Sequence, residues 1–352
     1  MSDDILQVEN LKVEFSTYGG TVKAVRGVSF SVERSKTLAI VGESGCGKSV
    51  SVQSIMGLIP MPPGRITSGS AKINGHEIIG LSAKEANKYR GVEIAMIFQD
   101  PMSSLNPTMT IGDQISETLM VHKGFSYKEA SKQAVELLEK THIPEAAKRA
   151  KQYPFEFSGG MLQRAMIAQS LACNPTILIA DEPTTALDVT IQAQILELMS
   201  ELQQSEGMSI VLITHDLAVV AKMADRVAVM YAGQVIEMGN VDEIFYQSSH
   251  PYTLGLKEAM PSNQKDKGKK LTPIAGSPPD LFSPPSGCAY YARCPYAMAI
   301  CETQMPDEFL IATDGDKNNN QKDSDHYSRC WLQHPDSPQV DSLYQSGRTN
   351  VS

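Results

Sequence analysis

The chain has 352 residues, of which 41% are hydrophobic and 20% charged, a composition typical of a globular protein rather than a disordered or fibrous one. Its length predicts about two domains. Lys and Arg number 31 against 40 Asp and Glu, giving a formal charge of −9. This balance argues against a sequence-independent nucleic-acid binder, because such proteins carry a basic surface that releases counterions from phosphate. We therefore expect no nucleic-acid partner.

The sequence contains no segment typical of membrane insertion or secretion. Its apolar runs fall short of the roughly 18–20 residues that span a bilayer. The acidic start Met1-Ser2-Asp3-Asp4 is not followed by the apolar segment of a secretory signal. We expect a cytosolic protein, in which the six cysteines are reduced thiols or metal ligands rather than disulfides.

Strand patterns occur near the N-terminus and again in the middle of the chain. Residues 5–15 and 22–32 alternate apolar and polar side chains on either side of Gly19-Gly20, which predicts two antiparallel strands. Continuous apolar runs, typical of strands buried on both faces, occur at 37–41, 176–180 and 209–214. Helical stretches separate these runs, so we predict an α/β protein with a mainly parallel core sheet and an antiparallel β-subdomain.

Helix patterns lie between the strands. Two capping boxes, Ser82 with Glu85 and Ser126 with Glu129, mark helix starts, because their side chains satisfy the first free amides of a helix. Residues 187–202 repeat apolar side chains at helical spacing, which predicts a further helix packed on the core.

The composition changes after about residue 255. Prolines become frequent there, and neither helical nor strand periodicity is sustained. We predict one domain at 1–255 and an irregular C-terminal extension at 256–352.

A phosphate-binding loop is predicted after the first buried run. The pattern G-x-x-x-x-G-K-[ST] is fitted by Gly42, Glu43, Ser44, Gly45, Cys46, Gly47, Lys48 and Ser49. Glycines let such a loop point its amides at a phosphate, and the following helix N-terminus adds a favourable dipole. Lys48 is expected to reach the β- and γ-phosphates and Ser49 to ligate Mg²⁺. The alternative is a Gly-rich turn without a ligand, which the strand and helix context disfavours.

The second buried run ends in two adjacent carboxylates, Asp181 and Glu182. Neighbouring side chains on a strand face opposite sides, so the two can differ in role. Asp181 is expected to hold Mg²⁺, and Glu182 to polarise the water that attacks a γ-phosphate. Taken alone, a strand that ends in Asp-Glu is equally compatible with a structural or capping role.

These motifs, in this order, resemble those of ATP-binding-cassette (ABC) ATPases. Residues 158–164 are similar to the signature motif of that family, and Ala186-Leu187-Asp188 lies at the spacing of its D-loop. Phe98-Gln99-Asp100 resembles the Q-loop, and Thr214-His215-Asp216 resembles the switch histidine. The resemblance implies a P-loop NTPase cassette that binds ATP and Mg²⁺ and contains a helical subdomain at about 100–165.

The resemblance also implies roles for these side chains. Glu182, His215 and Gln99 would act in hydrolysis, and Gln99 would contact Mg²⁺ or the attacking water. The signature motif would bind ATP held by a partner cassette, through Ser158, Gly159 and Gly160. Asp188 of the D-loop would also belong to the nucleotide site. One chain would then supply two half-sites, so hydrolysis should need a dimer.

Adenine recognition is implied less directly. Members of the family stack the base on an aromatic ring upstream of the P-loop, and Tyr18 is the candidate in this sequence. A turn tyrosine without a ligand is equally compatible with the pattern.

Further segments resemble the oligopeptide/dipeptide importer branch of the family. They lie at residues 96–107, 181–194 and 250–253, and the resemblance extends from about residue 5 to 332. It implies a bacterial ATPase subunit, peripheral on the cytoplasmic face of the cell membrane, that energises oligopeptide import. The implied partners are a second ABC ATPase subunit in a heterodimer, two transmembrane permease subunits and an extracytoplasmic peptide-binding protein.

Three other functions stay open at this stage. Members of the same branch import dipeptides or nickel. An ABC ATPase that clamps DNA or ribosomes usually carries a long coiled-coil insertion or two cassettes, and this chain has one cassette. A nucleotide-dependent regulator would not co-purify with permeases, which a transporter subunit must do.

Four of the six cysteines lie in the extension, at Cys288, Cys294, Cys301 and Cys330. Four thiolates in a loop-rich segment indicate a tetra-cysteine site for a [4Fe-4S] cluster or Zn²⁺. The spacing C-x5-C-x6-C-x28-C matches neither common Zn²⁺ pairs nor the short ferredoxin run. The family resemblance favours the iron–sulfur cluster, since some importers of the branch bind one through similarly placed cysteines. Free or partly buried thiols are the alternative.

Overall fold

The computed structural model describes residues 3–185, 187–259, 274–311, 325–338 and 340. Its strands are β1 (Asp4–Thr17), β2 (Gly20–Glu33), β3 (Thr37–Val41), β4 (Gly64–Ile73), β5 (His76–Glu77), β6 (Ile94–Ile97), β7 (Ile177–Asp181), β8 (Ser209–Thr214), β9 (Arg226–Tyr231), β10 (Gln234–Asn240), β11 (Phe309–Leu310) and β12 (Tyr327–Ser328). Its helices are α1 (Lys48–Ile55), α2 (Ala83–Ala86), α3 (Pro101–Ser104), α4 (Ile111–Lys123), α5 (Tyr127–Lys140), α6 (Ala146–Arg149), α7 (Gly159–Ser170), α8 (Val189–Glu206), α9 (Leu217–Met223), α10 (Val241–Tyr246), α11 (Pro251–Glu258) and α12 (Ala299–Thr303).

The N-terminal strands form an antiparallel sheet in the order β2-β1-β4-β5. The predicted strand pair is confirmed, since β1 and β2 pair antiparallel from Asp4 opposite Glu33 to Thr17 opposite Gly20. The apolar side chains of this sheet are buried in a cluster that also contains Leu38 of the second sheet. Because apolar and polar residues alternate along β1 and β2, one face of this strand pair packs against the core.

The second sheet has the order β11-β12-β10-β9-β3-β8-β7-β6, and β9, β3, β8, β7 and β6 are parallel. Every residue of β3, β7 and β8 is buried, as the continuous apolar runs predict. Val41 of β3 lies opposite Thr214 of β8, and Asp181 of β7 lies opposite Ile213. The three strands thus end at one edge of the sheet, where the loops that follow them meet. The α/β prediction with a mainly parallel core sheet is confirmed.

Helices α3 to α7 lie between β6 and β7 in the chain. Apolar side chains of α4 to α7 are buried in one cluster with side chains of α8, α9 and the strands β6, β7 and β8. Both predicted capping boxes are present, at Ser82 before α2 and at Ser126 before α5. The helix predicted at 187–202 begins at Val189, because Asp188 caps it by accepting from the Ile191 amide at 2.9 Å. Within the described ranges, no helix is both long and apolar enough to cross a membrane.

The C-terminal segment joins the core sheet. Strand β12 pairs antiparallel with β10, and β11 pairs with β12. Behind this contact Glu237 and His326 are both fully buried, with Oε1 and Nε2 3.0 Å apart. The predicted domain boundary near residue 255 falls inside α11, and the division at that point stays a prediction.

Candidate nucleotide site

The loop between β3 and α1 lies at the edge where the parallel strands end. Gly42, Gly45 and Gly47 have positive φ angles of 152°, 79° and 98°. A Cβ atom on Gly42 would lie 2.2 Å from the carbonyl oxygen of Met230, and one on Gly47 would lie 2.4 Å from that of Ala24. The loop can therefore follow this path only with glycine at these two positions.

Lys48 begins α1 and turns its side chain back into the loop. It is 5% exposed, and its ammonium donates to the carbonyl oxygens of Gly42 at 2.7 Å and Glu43 at 3.0 Å. The Sγ atom of Cys46 lies 3.8 Å from the same nitrogen. Burial raises the pKa of Cys46 above its ordinary value, so this thiol stays neutral beside the ammonium.

Ser49 and Asp181 form a pair suited to Mg²⁺. The Ser49 hydroxyl donates to Oδ1 of Asp181 at 2.8 Å, and Asp181 is 3% exposed. Desolvation raises the pKa of Asp181, although the hydrogen bond from Ser49 opposes the shift. A hydroxyl beside a buried carboxylate is a hard oxygen donor set that fits Mg²⁺. Because the pKa is higher in the folded state, ionised Asp181 costs stability at neutral pH, and this cost disappears as the pH falls through the folded pKa.

Glu182 is the centre of a hydrogen-bonded group. Its Oε2 atom accepts from Nε2 of Gln99 at 3.0 Å and from Oγ1 of Thr185 at 2.9 Å. Nδ1 of His215 lies 3.3 Å from Oε1. Glu182 has a φ of 48°, a conformation that is uncommon outside glycine and clusters at functional sites. The structure thus brings Gln99, Glu182 and His215 together, and it adds Thr185, which the motifs did not indicate.

These groups border an open cavity of about 650 Å³. This volume is within the range of small-molecule sites. The lining residues are Ser44, Gly45, Gly47, Lys48, Ser49, Val50, Gln99, Glu182 and His215, together with Phe15, Val22, Ala24 and Leu281. The first group is mostly polar and the second entirely apolar, so the cavity offers different surroundings to phosphates and to a base.

Phe15 contributes an aromatic ring to this cavity. It is half-buried near the end of β1, whereas Tyr18 lies in the following turn and is fully exposed. Tyr18 is not among the lining residues. The alternating pattern of β1 marked Phe15 only as a core residue, and no local motif marks Leu281, which the C-terminal segment contributes.

The signature residues lie apart from this cavity. Ser158 caps α7 by accepting from the Met161 amide at 3.4 Å, and Ser158 and Gly159 are exposed. A Cβ atom on Gly160 would lie 2.8 Å from a methyl carbon of Ile191, so this glycine allows close packing on α8. Among the described residues that line the cavity, none belongs to the signature motif. The first D-loop residue, Ala186, lies outside the described residues.

The extension cysteines are thiols in a mostly buried cluster. Cys288, Cys301 and Cys330 are buried, Cys294 is partly exposed, and the Cys288 amide donates to the carbonyl oxygen of Cys301 at 2.8 Å. Burial, with a smaller contribution from the neighbouring Cys301, raises the pKa of Cys288 and of Cys294 to about 11. In the part of the chain that the structure describes, no three His, Cys, Asp or Glu side chains converge as ligands of a metal ion. The iron–sulfur or Zn²⁺ site therefore stays a prediction.

Two solved structures with this fold are ABC cassettes. A dimeric post-hydrolysis state of the ATP-binding cassette MJ0796, bound to ADP and Pi, matches with a TM-score of 0.60 and 28% identity over 67% of this chain and 98% of that one. The cbiO1 protein from Clostridium perfringens, part of the ABC transporter complex cbiONQ, matches with a TM-score of 0.59 and 29% identity over 73% of this chain and 96% of its own.

Sequence relatives agree with this likeness. Residues 25–185 match the ABC transporter family, and residues 236–301 match the oligopeptide/dipeptide transporter C-terminal region. The oligopeptide transport ATP-binding protein OppD of Bacillus subtilis is 55% identical over 96% of this chain and 91% of its own length. The dipeptide transport ATP-binding protein DppD of the same organism is 53% identical over 94% and 95%, and OppD of Escherichia coli is 51% identical over 87% and 90%. The chain belongs to the family of ABC transporter ATP-binding proteins that carry the oligopeptide/dipeptide transporter C-terminal region.

Proposed function

We propose that this chain is the ATP-hydrolysing subunit of a membrane complex that imports oligopeptides. The observation that carries the proposal is the Glu182 group, since its carboxylate and the phosphate loop border the same cavity. The OppD relatives favour oligopeptides. Dipeptide import is the second candidate, because a DppD is nearly as similar as an OppD, at 53% against 55% identity.

In this proposal the P-loop binds the phosphates of ATP. The ammonium of Lys48 exchanges its carbonyl partners for β- and γ-phosphate oxygens. Ser49, Asp181 and Gln99 are the residues that would hold Mg²⁺. When bound, Mg²⁺ neutralises negative charge on the β- and γ-phosphate oxygens.

Glu182 acts as the general base. Its Oε2 atom is occupied by the donors on Gln99 and Thr185, so Oε1 is the atom that takes the proton of the attacking water. The water oxygen bonds to the γ-phosphorus while the bond to the β–γ bridging oxygen breaks, releasing ADP and phosphate. His215, 3.3 Å from Oε1, holds the carboxylate and meets the γ-phosphate.

A second ABC ATPase subunit completes each site. Ser158 and Gly159 are exposed at the start of α7, where free amides and the helix dipole favour an anion. Their own chain's cavity does not use them, so they are available to ATP bound by a partner, and Asp188 lies at the neighbouring start of α8. The dimeric state of the cassette MJ0796 bound to ADP and Pi supports this arrangement.

The adenine base stacks on Phe15. This ring lines the apolar part of the cavity, whereas Tyr18 is exposed in the turn beyond it. Every nucleobase has a flat π-face that can stack on an aromatic ring, so stacking alone does not select adenine and further contacts are needed.

The helices between β6 and β7 dock on the permease. Large apolar side chains are exposed in this region at Met102, Val121, Tyr127 and Phe155. Gln99 precedes these helices and donates a hydrogen bond to Glu182, so the binding of ATP in the cavity can change the position of the docking surface. ATP can shift the equilibrium between the open and closed dimers only by the difference between its binding free energies for the two states.

The full complex in this proposal is a heterodimer of ABC subunits on two transmembrane permease subunits, supplied by an extracytoplasmic peptide-binding protein. The chain is then peripheral on the cytoplasmic face of the bacterial cell membrane.

In this proposal Cys288, Cys294, Cys301 and Cys330 of the extension would hold a [4Fe-4S] cluster. When bound, such a cluster supplies a redox-active centre held by thiolates. Among the described residues no three His, Cys, Asp or Glu side chains converge as metal ligands, so the support for the cluster is the number of cysteines in the extension and the family resemblance.

The function is tested with the assembled complex. The chain is co-expressed with the permeases and second ABC subunit of its own genome and purified through a tag on one permease. It is expected to co-purify, and its ATPase rate is expected to rise with binding protein loaded with peptides, most with peptides longer than two residues. A chain found with DNA or ribosomes instead, or an ATPase rate that no peptide changes, would contradict the proposal. Stimulation by dipeptides alone would favour the second candidate.

A further inference from the structure

The C-terminal extension reaches the P-loop through one arginine. Arg293 ends the short 3₁₀ helix Tyr291–Arg293, and its side chain is only 5% exposed. Its Nη1 atom donates to Oε2 of Glu43 at 2.8 Å, and its Nη2 atom donates to Oε1 at 3.0 Å. Two parallel bonds of this kind fix orientation as well as distance. Glu43 is the second residue of the P-loop, so the pair joins the loop to a segment 250 residues away.

The arginine is itself held in place. Nε donates to the carbonyl oxygen of Ala275 at 2.9 Å, and Nη2 donates to that of Ile274 at 3.2 Å. Nη1 also donates to the Tyr231 hydroxyl at 3.2 Å. The guanidinium carbon lies 5.8 Å from the centre of the Tyr231 ring and 6.0 Å from that of Tyr290. Arg293 therefore cannot move away from the loop without breaking several contacts at once.

Glu43 is anchored at three points. Arg293 holds its carboxylate, and the hydroxyl oxygen of Tyr252 accepts from its amide at 2.9 Å. The third point is its carbonyl oxygen, which accepts from the Lys48 ammonium at 3.0 Å. Tyr252 is fully buried in α11, so it is a rigid partner. The position of the Glu43 backbone, and with it the direction of the Lys48 side chain, is thus set from outside the loop.

We propose that Arg293 is a positioning residue for ATP binding, which holds the P-loop through Glu43 in the conformation that presents Lys48 to the phosphates. This inference rests on the proposed function, since ATP is the ligand. A loop that spends only a fraction of its time in the competent conformation binds with an affinity reduced by that fraction. Arg293 touches no reacting atom, so its loss should weaken ATP binding and leave the rate at saturating ATP nearly intact.

The test compares two arginine variants in the assembled full-length complex. Arg293→Met is expected to raise the Kd and the KM for ATP about tenfold, with little change in kcat, if one loop conformation in ten stays competent. Arg293→Lys should recover part of the affinity, because lysine restores the charge but not the paired geometry. The matched control is Arg329→Met. Like Arg293, which precedes Cys294, Arg329 precedes a cysteine, Cys330, and it pairs with a glutamate, Glu308, at 2.6 Å. The Arg329→Met variant should therefore bind ATP with the Kd of the parent.

Two further variants keep the test decisive if Arg293→Met does not fold. Tyr252→Phe removes only the hydroxyl at Glu43 and is expected to raise the Kd by a smaller factor. The double variant Glu43→Gln with Arg293→Lys is expected to have a Kd for ATP no higher than that of the weaker-binding of its two single variants, because both substitutions disrupt the same Arg293–Glu43 contact. Equal Kd values in the parent and in all folded variants would overturn the positioning role. An equal loss in Arg329→Met would also overturn it, because the effect would then belong to the extension as a whole. A parent complex that binds no ATP would instead refute the proposed function.

Discussion

Replacing Glu182 by Gln tests the chemistry of the site with a minimal change of shape. The carboxylate accepts from Gln99 and Thr185 through Oε2 and lies beside His215 through Oε1. An amide oxygen can still accept from both donors, and the amide nitrogen then faces the histidine ring. The side chain should therefore stay in place, but it can no longer take a proton from water.

The expected magnitude follows from that single loss. General-base catalysis contributes about 10²- to 10⁴-fold to a rate. We expect kcat to fall at least about a hundredfold, which corresponds to roughly 2.7 kcal/mol in the activation barrier. ATP binding should be retained, because Lys48 and Ser49 are held by hydrogen bonds to Gly42, Glu43 and Asp181 rather than by Glu182.

The assay is phosphate release by the assembled transporter at saturating ATP, with equilibrium binding of a fluorescent ATP analogue measured in parallel. Thr185→Val removes one of the two donors on Oε2 and should cost less than Glu182→Gln. Glu201→Gln is the matched control, since this exposed carboxylate lies on α8 near His142 and outside the cavity. A Glu182→Gln complex that releases phosphate at the parent rate would refute the assignment of the base.

Three other predictions concern the metal ligand Asp181, the stacking of the adenine base and the extension cysteines. Asp181→Asn should abolish Mg²⁺-dependent hydrolysis and raise the melting temperature of the nucleotide-free chain, because burial raises the pKa of Asp181 and its charge is costly. Thermal unfolding should show this gain shrinking from neutral to acidic pH, as the parent carboxyl takes up a proton. Phe15→Ala should raise the KM for ATP roughly tenfold, within the range of about 1–3 kcal/mol for base–aromatic stacking, and Tyr18→Ala should not, as steady-state kinetics will show. Anaerobically purified protein should contain iron and acid-labile sulfide that Cys294→Ser loses and Cys173→Ser keeps; a parent protein without iron and sulfide, whether or not it contains zinc, would remove the cluster proposal.

Much of the fold could be predicted because its core strands are buried on both faces. Such strands need apolar side chains at every position, so β3, β7 and β8 appear in the sequence as continuous runs. The polar residues directly after these runs could be grouped for the same reason, since parallel strands end at one edge. Local capping patterns at Ser82 and Ser126 were equally readable, because each involves only neighbouring residues.

The rest of the site depends on contacts between distant segments. Arg293 meets Glu43 across 250 residues, and Leu281 reaches the cavity from the extension, yet neither belongs to a local pattern. The choice between Phe15 and Tyr18 depends on where β1 ends and the turn begins, which alternation alone leaves uncertain by a few residues. The extension itself looked irregular, because the two strands in its described part have only two residues each. Strand β12 is stabilised by pairing with β10, and β11 by pairing with β12.

The same contacts limit where a partner subunit can close the site. The apolar part of the cavity is covered by β1, β2 and Leu281, and the P-loop is held at Glu43 by Arg293. The exposed residues that line the cavity include Gln99 and His215, which both contact Glu182, and Ser44 and Gly45 of the P-loop. A partner that approaches there would exclude water from the Glu182 carboxylate, which strengthens each of its hydrogen bonds and the field on a bound γ-phosphate. In the proposed mechanism, closure would activate the general base and complete the phosphate contacts in one movement, so a single chain would bind ATP but need its partner to hydrolyse it.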